Sequence, residues 1–478
     1  MCSFLIYYGM CTSSNVKQAL FKLKFRGPDL THTTVVNGYT FNHCLLHITG
    51  KVIPQPFVQG SVVALFNGEI YNYSSLGSFK TDGQCLIPTY LKHGKHFVRQ
   101  LDGDFALCVY DFKNQRAILS SDLFATKPIW YGIVNGRLAV ASYESSLRAL
   151  GCPKPQKVPP NQTFVWSLQE HKVIERIEIY HWDLRQTKNT LDDWVKAFEE
   201  AVKKRTRSLK YPLFICLSSG YDSGSLAAAL NHLQVKYNSY SIMGVEDPNI
   251  LHQRERLNRK NAGNLIIKLD RTQVKDEHKF LLEKAEWSSH KLFRKFRPKI
   301  YRPIQDDMAC AGLAVIFRKA KSQNQRIYLS GQGPDEIFAD YGFRGVALRS
   351  ISTIGGLFPE NLKDVFPWHN FQKGSMEGFI AKEEHVAGSL GIEARYPFLD
   401  RQVVQEFLWL TAEIKNQVYK APLDYYLKLR GYPFEVNAKY GFKLGTTDKL
   451  IRKEKAKNAR TFKEILDQKI PRPLQYEK

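Results

Sequence analysis

One local pattern constrains the fold of this chain more than any other. The apolar run PLFICLS ends at Ser218, a turn of small residues follows as SGYDSGS, and LAAALNHL continues at helical spacing. A strand, a tight turn and a helix form the opening unit of a parallel α/β sheet. A second unit resembles it, because QRIYLS ends at Ser330 before the turn GQGPDE. With the helical run LDDWVKAFEEAVKKRTRSL and the apolar run YNSYSIM, these units predict an α/β domain after about residue 190.

The two turns carry groups suited to phosphate. Backbone N–H groups in a Gly/Ser turn, together with the following helix N-terminus, stabilise negative charge. Asp222 repels phosphate unless a divalent cation lies between them, and Asp335 ends the second turn. We therefore expect Asp222 and Asp335 to share a metal ion at adjacent strand ends. The alternative is a solvent-exposed turn whose Asp or Ser caps the helix.

The first 150 residues have a different pattern. Short β-type runs, LFNGEIYNY, FALCVYDF, RAILSSD and RLAVASY, alternate with Gly and Asn turns. The stretch GCPKPQKVPPNQ (151–162) carries four prolines, and we expect it to close this strand-rich domain. The Asn-Gly pair at 67–68 has the ordinary meaning of a hairpin turn.

Composition limits the classes of protein. Hydrophobic residues make up 43% and charged residues 24%, a globular balance. No apolar run is long enough for a membrane helix, and the N-terminus lacks the features of a signal peptide. The eight scattered cysteines show neither metal-site nor disulfide spacing, so we expect a reducing, cytoplasmic location and no membrane partner.

The net charge of +23 attracts polyanions and anionic small molecules, although a host-wide basic bias explains it equally well. Basic residues are concentrated at 289–302, SHKLFRKFRPKIYR, with a second run from Lys449 to Arg460. One interpretation is a solvated basic loop. The other is a site for an anionic or larger acceptor, or for nucleic acid, since basic and aromatic residues interleave there.

The motifs of the second half resemble the PP-loop ATP pyrophosphatases, and specifically the glutamine-dependent asparagine synthetase family. SSGYDS is similar to that family's SGGxDS, and SGQGPDE is similar to its SGEGxDE. Glu393 to Asp400, EARYPFLD, resembles E-x-R-x-P-F-L-D, and Lys439 to Phe442 resembles K-x-G-F. Lys420 falls where the family has a catalytic lysine.

The first half resembles the matching class II amidotransferase domain. Met1-Cys2 gives an N-terminal cysteine after removal of the methionine, and RGPD occurs at 26–29. FNGEIYN at 66–72 is complete, and Thr81-Asp82 stands where the family has S-D. LDGDFA from Leu101 and the D-x-x-x-x-K-P pattern from Asp122 follow in the family's order. The joint order makes chance agreement far less probable than any single motif does.

The resemblance implies a fold for each half of the chain and a boundary between the two domains. Residues 1–185 are expected to form an α+β, αββα sandwich of the N-terminal-nucleophile type that hydrolyses glutamine. Residues 186–478 are expected to form an α/β parallel-sheet PP-loop domain that binds ATP. A homodimer is left open as the assembly.

The resemblance also assigns roles in the first domain. Cys2 attacks the glutamine amide, and its freed α-amino group acts as the base. Asn67 and Gly68 form the oxyanion hole. The expected glutamine-binding residues are Arg26, Glu69 and Asp82.

In the second domain the resemblance implies adenylation of a carboxylate, aspartate by default, and attack of ammonia on the acyl-AMP. ATP and Mg²⁺ are the expected cofactors, Asp222 and Asp335 the metal ligands, and Lys420 the catalytic cation. A lone lysine is otherwise most often a solvated surface residue. The expected ATP-binding residues are Leu217, Ser218, Gly220, Asp222, Ser223, Met243, Ser330 and Gly331.

Three residues depart from the family patterns. Leu45 replaces the arginine that clamps the glutamine α-carboxylate in H-x-R-L-S-I, Gln332 replaces a glutamate, and Ser219 replaces a glycine. Because glutamine side chains cannot transfer protons near neutral pH, acceptor handling is expected to differ. Three alternatives stay open: another carboxylate acceptor, a nucleic-acid-modifying enzyme, and a degenerate protein without catalysis.

Overall fold

A computed structural model describes residues 2–438 except positions 208, 245, 287–288, 295–296 and 304–307, together with residue 465. Within these residues, no helix is long and apolar enough to cross a membrane.

The first part of the chain is built from two antiparallel sheets and a few helices. Its strands are β1 (Ser3–Tyr8), β2 (Leu30–Val36), β3 (Tyr39–Leu45), β4 (Phe57–Gln59), β5 (Val62–Ile70), β6 (Gly103–Asp111), β7 (Arg116–Ser121), β8 (Trp130–Val134), β9 (Arg137–Ala141), β10 (Gln156–Lys157), β11 (Gln162–Ser167) and β12 (Lys172–Glu178). Its α-helices are α1 (Ser13–Arg26), α2 (Tyr73–Leu76), α3 (Leu86–His93) and α4 (Glu144–Ala149). The sheet orders are β10-β8-β9-β1-β3-β2 and β12-β11-β7-β6-β5-β4.

Alternating apolar side chains in β1 explain how these layers stack. Phe4 and Ile6 face the second sheet in one buried cluster, whereas Leu5 and Tyr7 pack with α1 and α4. Strand β5 alternates in the same way between the first sheet and α3. Because successive strand side chains point to opposite faces, each sheet buries both faces. The layers run helix, sheet, sheet, helix, which confirms the expected αββα sandwich.

The proline-rich stretch at 151–162 does not close this domain, so that expectation was wrong. Strand β10 lies within it and belongs to the first sheet, and β11 and β12 follow it in the second sheet. The prolines mark the connection between the two sheets, where few backbone N–H groups are needed for a ladder.

The second part contains a parallel sheet covered by helices. Its strands are β13 (Leu213–Cys216), β14 (Tyr237–Ile242), β15 (Ala262–Ile267), β16 (Ser289–Arg294), β17 (Arg297–Pro303), β18 (Ile327–Leu329), β19 (Gly342–Phe343), β20 (Val346–Ala347) and β21 (Glu393–Arg395). Its helices are α5 (Asp192–Arg205), α6 (Tyr221–His232), α7 (Pro248–Asn258), α8 (Arg271–Lys284), α9 (Met308–Ser322), α10 (Pro334–Ile337), α11 (Gly374–Leu390), α12 (Arg401–Trp409), α13 (Ala412–Gln417) and α14 (Ala421–Leu429).

The strand order of the parallel sheet, β15-β14-β13-β18-β21, creates a crevice for a ligand. The chain moves outward from β13 through β14 to β15, and then crosses to β18 on the other side of β13. Between β13 and β18 the direction of the connections reverses, and ligands of open α/β sheets bind at such a point. The turns after β13 and β18 are the two Gly/Ser turns of the sequence.

Buried ion pairs join the two parts. Arg205, the last residue of α5, donates from Nη2 to Asp104 Oδ1 at 2.9 Å and from Nη1 to Asp400 Oδ2 at 2.7 Å. Each of these three side chains is at most 4% exposed. The motifs around Asp104 and Asp400 therefore meet at the domain interface. The boundary between residues 185 and 186 stays a prediction.

Candidate active sites

Cys2 lies directly before β1 in a buried position. Its side chain is 8% exposed, and Sγ lies 3.8 Å from the Leu46 carbonyl oxygen. Burial raises the pKa of the Cys2 thiol to about 12. Removal of the preceding methionine stays a prediction, because residue 1 lies outside the described residues. A buried thiol of this kind needs a nearby base before it can act as a nucleophile.

Asn67 and Gly68 lie within β5, not in a hairpin turn. They pair with Ala106 and Phe105 of β6. The Asn67 side-chain amide is fully buried, and neither its nitrogen nor its oxygen has a hydrogen-bond partner in the described part of the chain. Gly68 has φ +131°, and a Cβ there would lie 2.0 Å from the Asp104 carbonyl oxygen. An unused buried donor beside a glycine whose backbone conformation other residues rarely adopt is suited to an oxyanion hole.

Glu69 and Asp82 give this site negative charge. Glu69 Oε1 accepts from Thr49 Oγ1 at 2.7 Å, and Asp82 Oδ2 accepts from the Ile70 N–H at 2.9 Å. Burial, with the neighbouring Glu393, raises the pKa of Glu69, and burial raises the pKa of Asp82 to about 6. Both carboxylates therefore gain from a cation placed between them, such as an α-ammonium group.

Arg26 lies behind the nucleophile. Its Nε donates to the Cys2 carbonyl oxygen at 3.0 Å, and Nη2 donates to Glu384 Oε2 at 2.6 Å. Nη1 lies 3.2 Å from the Tyr143 hydroxyl, and the side chain has no exposed surface. The structure thus gives Arg26 a role in positioning Cys2, while its expected contact with glutamine stays a prediction.

The first Gly/Ser turn is held in a tight shape from within. Ser218 Oγ lies 2.7 Å from Ser223 Oγ and accepts from the Gly220 N–H at 3.1 Å. Asp222 and Ser223 stand in the first turn of α6. Ser219, the residue that replaces a family glycine, donates from Oγ to Glu246 Oε2 at 2.6 Å. Its side chain ties the turn to the segment before α7.

Arg254 of α7 supports the same turn, and sequence reasoning missed it. It is buried, and its Nη1 donates to the carbonyl oxygens of Ser218 and, at 3.1 Å, Gly220. A Cβ at Gly224 would lie 2.5 Å from Nη2, which explains the glycine in α6. The sequence offered no signal for Arg254, because its contacts cross more than thirty positions.

The second turn meets the first. A Cβ built at Gly331 would lie 3.4 Å from the Cβ of Asp222, which is ordinary van der Waals distance. Ser330 Oγ donates to Glu383 Oε2 at 2.5 Å and accepts from the Gln332 N–H at 3.0 Å. Asp335 lies in the first turn of α10, and its carboxylate contacts Lys420 as that of Asp222 does. The structure brings the two turns together, as their positions at strand ends led us to expect.

Lys420 stands between the two carboxylates that were expected to share a metal. Its Nζ lies 2.6 Å from Asp222 Oδ1 and 2.6 Å from Asp335 Oδ1, and the residue is 3% exposed. Burial lowers the pKa of Lys420, but the two carboxylates outweigh burial and raise it overall. The solvated-lysine interpretation is therefore wrong.

The carboxylate pair suits Mg²⁺ that substrate phosphates also bind. Magnesium is usually held by one or two carboxylates, waters and phosphate oxygens, not by a full protein cage. Within the described residues, no group of three or more His, Cys, Asp or Glu side chains converges as a metal site. Asp222 and Asp335 fit the smaller ligand set, with phosphate oxygens completing the shell.

The remaining predicted ATP-binding residues line the strand ends. The Leu217 N–H donates to the Tyr240 carbonyl oxygen at 2.8 Å, and the Met243 N–H donates to the Ile267 carbonyl oxygen at 3.0 Å. Both residues directly follow central strands, β13 and β14. Gln332 Nε2 donates to Glu336 Oε1 at 2.9 Å.

The basic segment at 289–302 is not a loop. Its backbone forms the antiparallel hairpin β16–β17, with Ser289 opposite Pro303 and Leu292 opposite Ile300. The motif from Lys439 to Phe442 and the basic run from Lys449 to Arg460 lie outside the described residues.

Comparison with protein families shows to which family the chain belongs. The description "glutamine amidotransferase domain" matches residues 1–181, and "asparagine synthase" matches residues 193–373. The chain belongs to the glutamine-dependent asparagine synthetase family. Its two family matches follow one another in the order of the two candidate sites.

Relatives of the synthetase family match most of the chain at low identity. A Methanocaldococcus jannaschii protein, named as a glutamine-hydrolysing asparagine synthetase, is 28% identical over 80% of this chain and 71% of its own. Asparagine synthetase 1 of Saccharomyces cerevisiae is 26% identical over 80% and 71%. Asparagine synthetase 2 of Arabidopsis thaliana is 24% identical over 87% and 72%.

Among solved structures, glutamine phosphoribosylpyrophosphate amidotransferase from B. subtilis gives a TM-score of 0.32 at 12% identity. The match covers 56% of this chain and 81% of that one. A likeness of this size does not bear on the assignment.

Proposed function

We propose that this chain is a carbon–nitrogen ligase that hydrolyses glutamine in its first domain and uses ATP in its second to amidate a carboxylate. Aspartate is the default acceptor, with asparagine, AMP and pyrophosphate as products. The observation that supports this best is one residue shared by both sites. Arg395 Nη2 lies 3.3 Å from Glu69 Oε1, and the Arg395 carbonyl oxygen accepts from the Ser330 N–H at 2.9 Å.

In the first site, the Cys2 thiol attacks the glutamine amide after its proton passes to the freed α-amino group. Asn67 and the Gly68 N–H stabilise the oxyanion of the tetrahedral intermediate. Glu69 and Asp82 bind the α-ammonium group. Ammonia leaves toward the second domain, and water releases glutamate from Cys2.

In the second site, the turn containing Ser218, Gly220 and Ser223 binds the pyrophosphate end of ATP, with Leu217, Met243, Ser330 and Gly331 nearby. Asp222 and Asp335 would hold Mg²⁺, which neutralises phosphate charge when bound. Lys420 then moves from its place between the two carboxylates to the departing phosphate oxygens. Its retained charge suits this role, because a raised pKa keeps it an ammonium at neutral pH.

The acceptor site departs from the family at Gln332, whose amide cannot transfer a proton. Glu383, buried beside Ser330, is better suited to acid–base steps, since burial raises its pKa to about 7. We keep aspartate as the default acceptor. The hairpin at 289–302 is our candidate for contact with a more anionic acceptor. Nucleic acid is the less favoured alternative, because the reported relatives are named asparagine synthetases.

We also place the chain in the cytoplasm, where all eight cysteines, which are unpaired in the structure, stay reduced. A homodimer stays a prediction.

The deciding experiment measures AMP, pyrophosphate and asparagine release with ATP, Mg²⁺, glutamine and aspartate. A Cys2→Ala variant is the control, supplied with either glutamine or ammonium. We expect the unmodified chain to release all three products with glutamine. The variant should release them when ammonium is supplied and not when glutamine is supplied. If ATP binds but aspartate yields no AMP, the aspartate assignment is wrong, and other acids are then tested for AMP release.

A further inference from the structure

The glutamine pocket has an excess of negative charge. Asp82 and Glu393 are close enough to act on the Cys2 thiol, and both also act on Glu69. Glu393 stands in β21 and so comes from the other domain. Glutamine carries an ammonium and a carboxylate on the same carbon atom. A pocket of carboxylates satisfies the first group and repels the second, so it needs a cation beside Glu69.

Most cations near this pocket are committed elsewhere. Arg26 binds the Cys2 carbonyl oxygen and Glu384 from behind. Lys127 Nζ donates to Glu384 Oε1 at 2.7 Å and to the Ala394 carbonyl oxygen at 2.6 Å. Lys210 is exposed and lies 2.8 Å from His47 Nδ1. Because of these contacts, the side chains of Arg26, Lys127 and Lys210 are not placed to bind glutamine.

In the part of the chain that the structure describes, Arg395 contacts the pocket directly. Its Nη2 lies 3.3 Å from Glu69 Oε1 and 2.7 Å from Glu393 Oε1, and the side chain is 2% exposed. The same nitrogen is buried and makes no well-aligned hydrogen bond within the described residues. The other two nitrogens are already used, since Nε donates to Glu393 Oε1 at 2.7 Å and Nη1 donates to the Arg205 carbonyl oxygen at 2.7 Å. Nη2 therefore keeps donors for an anion placed next to Glu69.

We propose that Arg395, from the ATP-binding domain, binds the α-carboxylate of glutamine. This inference rests on the proposed glutamine hydrolysis. With the α-ammonium on Glu69, the α-carboxylate lies one carbon away, within reach of an arginine 3.3 Å from the same Glu69 oxygen. Because Nε and Nη1 are used, Nη2 is the nitrogen that donates to the α-carboxylate, and such a charge-assisted hydrogen bond is stronger than a neutral one. It also accounts for Leu45, an apolar residue in β3 that pairs with Leu30 of β2.

The assignment makes the glutamine pocket a product of both domains. β21 ends at Arg395, and the backbone of the same residue holds Ser330 of the ATP turn. Glutamine therefore binds fully only where the domains are docked, and its carboxylate contacts the strand that supports the second site.

The test compares glutamine with 4-aminobutanamide, which has the same amide and amine but lacks the α-carboxylate. In the full-length chain, Arg395→Gln should raise KM for glutamine by about 10- to 100-fold, the size of a lost charge-assisted contact. Its kcat/KM for 4-aminobutanamide should fall by much less, because that substrate loses only the indirect effect of Arg395 on Glu69. Arg395→Lys should give a KM for glutamine between those of the unmodified chain and of Arg395→Gln, because it keeps the charge but loses the planar guanidinium geometry. Thermal unfolding of each variant confirms that it is folded.

Two further variants sharpen the result. Leu45→Arg in the Arg395→Gln background should restore a low KM, because it supplies a cation from β3. Lys210→Gln should leave KM for glutamine as it is. The proposal is overturned if Arg395→Gln affects both substrates equally, if Lys210→Gln alone raises KM, or if the unmodified chain does not discriminate between the substrates. If the unmodified chain hydrolyses neither, the proposed function itself fails.

Discussion

Arg26 and Glu384 form an ion pair 2.6 Å long between the two domains, and the side chains are 0% and 1% exposed. Lys127 binds the other oxygen of the same carboxylate at 2.7 Å. Because Arg26 also holds the Cys2 carbonyl oxygen, one contact fixes both the domain interface and the nucleophile.

Removing this carboxylate should destabilise the protein strongly. Glu384→Gln leaves Arg26 and Lys127 buried without their anion, and breaking a buried pair costs about 3–5 kcal/mol. Denaturant unfolding measures the loss, and glutamine hydrolysis should fall with it. The matched control is Glu377→Gln, since Glu377 pairs with Lys157 across the same interface at 2.9 Å but is 50% exposed. That variant should lose no more than about 1 kcal/mol. Equal losses in the two variants would contradict the argument.

Lys420→Gln should change two measurable properties in opposite directions, the rate of AMP release and the affinity for a divalent metal ion. AMP release should fall by about 100- to 1,000-fold, as when a charge-stabilising donor is removed. Metal binding without ATP should rise, because Asp222 and Asp335 then face each other without a cation. Mn²⁺ titration followed by electron paramagnetic resonance measures the second effect. Adding Asp335→Asn to Lys420→Gln should abolish the gain in Mn²⁺ affinity. Unchanged Mn²⁺ affinity in Lys420→Gln would mean that the two carboxylates do not form the metal site.

Asn67 and its neighbour Gly68 should respond differently to alanine. Asn67→Ala should lower kcat for glutamine hydrolysis by about 100- to 1,000-fold without lowering the melting temperature. Among the described residues, its amide has no hydrogen-bond partner to lose. Gly68→Ala should lower both activity and stability, because the added Cβ meets the Asp104 carbonyl oxygen at 2.0 Å. Differential scanning calorimetry beside a glutaminase assay distinguishes the two. A large loss of stability in Asn67→Ala would show that the Asn67 amide is needed for the fold and is not held in reserve for the oxyanion.

The sequence alone predicted the elements that depend on local patterns. Strand β13, helix α6 and the turn between them follow from apolar periodicity and small residues, and the ends of parallel strands meet at one edge. Resemblance, not local pattern, pointed to Asn67-Gly68 as an oxyanion hole, since an isolated Asn-Gly pair suggests a hairpin. The strand pairing with Ala106 and Phe105 overrides that local preference.

The approach of the two Gly/Ser turns followed from their positions at strand ends, but other side-chain contacts between distant segments could not be predicted. Lys420 bridges Asp222 and Asp335 from positions 198 and 85 residues away, and no periodicity encodes such a distance. The same holds for Arg254 beneath the first turn and for Arg395 beside Glu69. Arg254 lies in a charged run, and Arg395 and Lys420 were singled out through family motifs, so no local pattern indicated what these side chains contact.

The reactivity of Cys2 should depend on pH as a buried thiol does. Burial raises its pKa to about 12, so the reactive thiolate is the minor form at neutral pH and increases as pH rises. Iodoacetamide labelling of Cys2, followed by mass spectrometry, should therefore accelerate roughly tenfold per pH unit between about pH 7 and 10, whereas an ordinary thiol levels off near its pKa of about 8.5. Asp82→Asn removes a negative charge that acts on the thiol and should shift the profile toward lower pH, although burial, the larger cause, remains. A plateau near neutral pH in the unmodified chain would show instead that a cation stabilises the thiolate before glutamine binds.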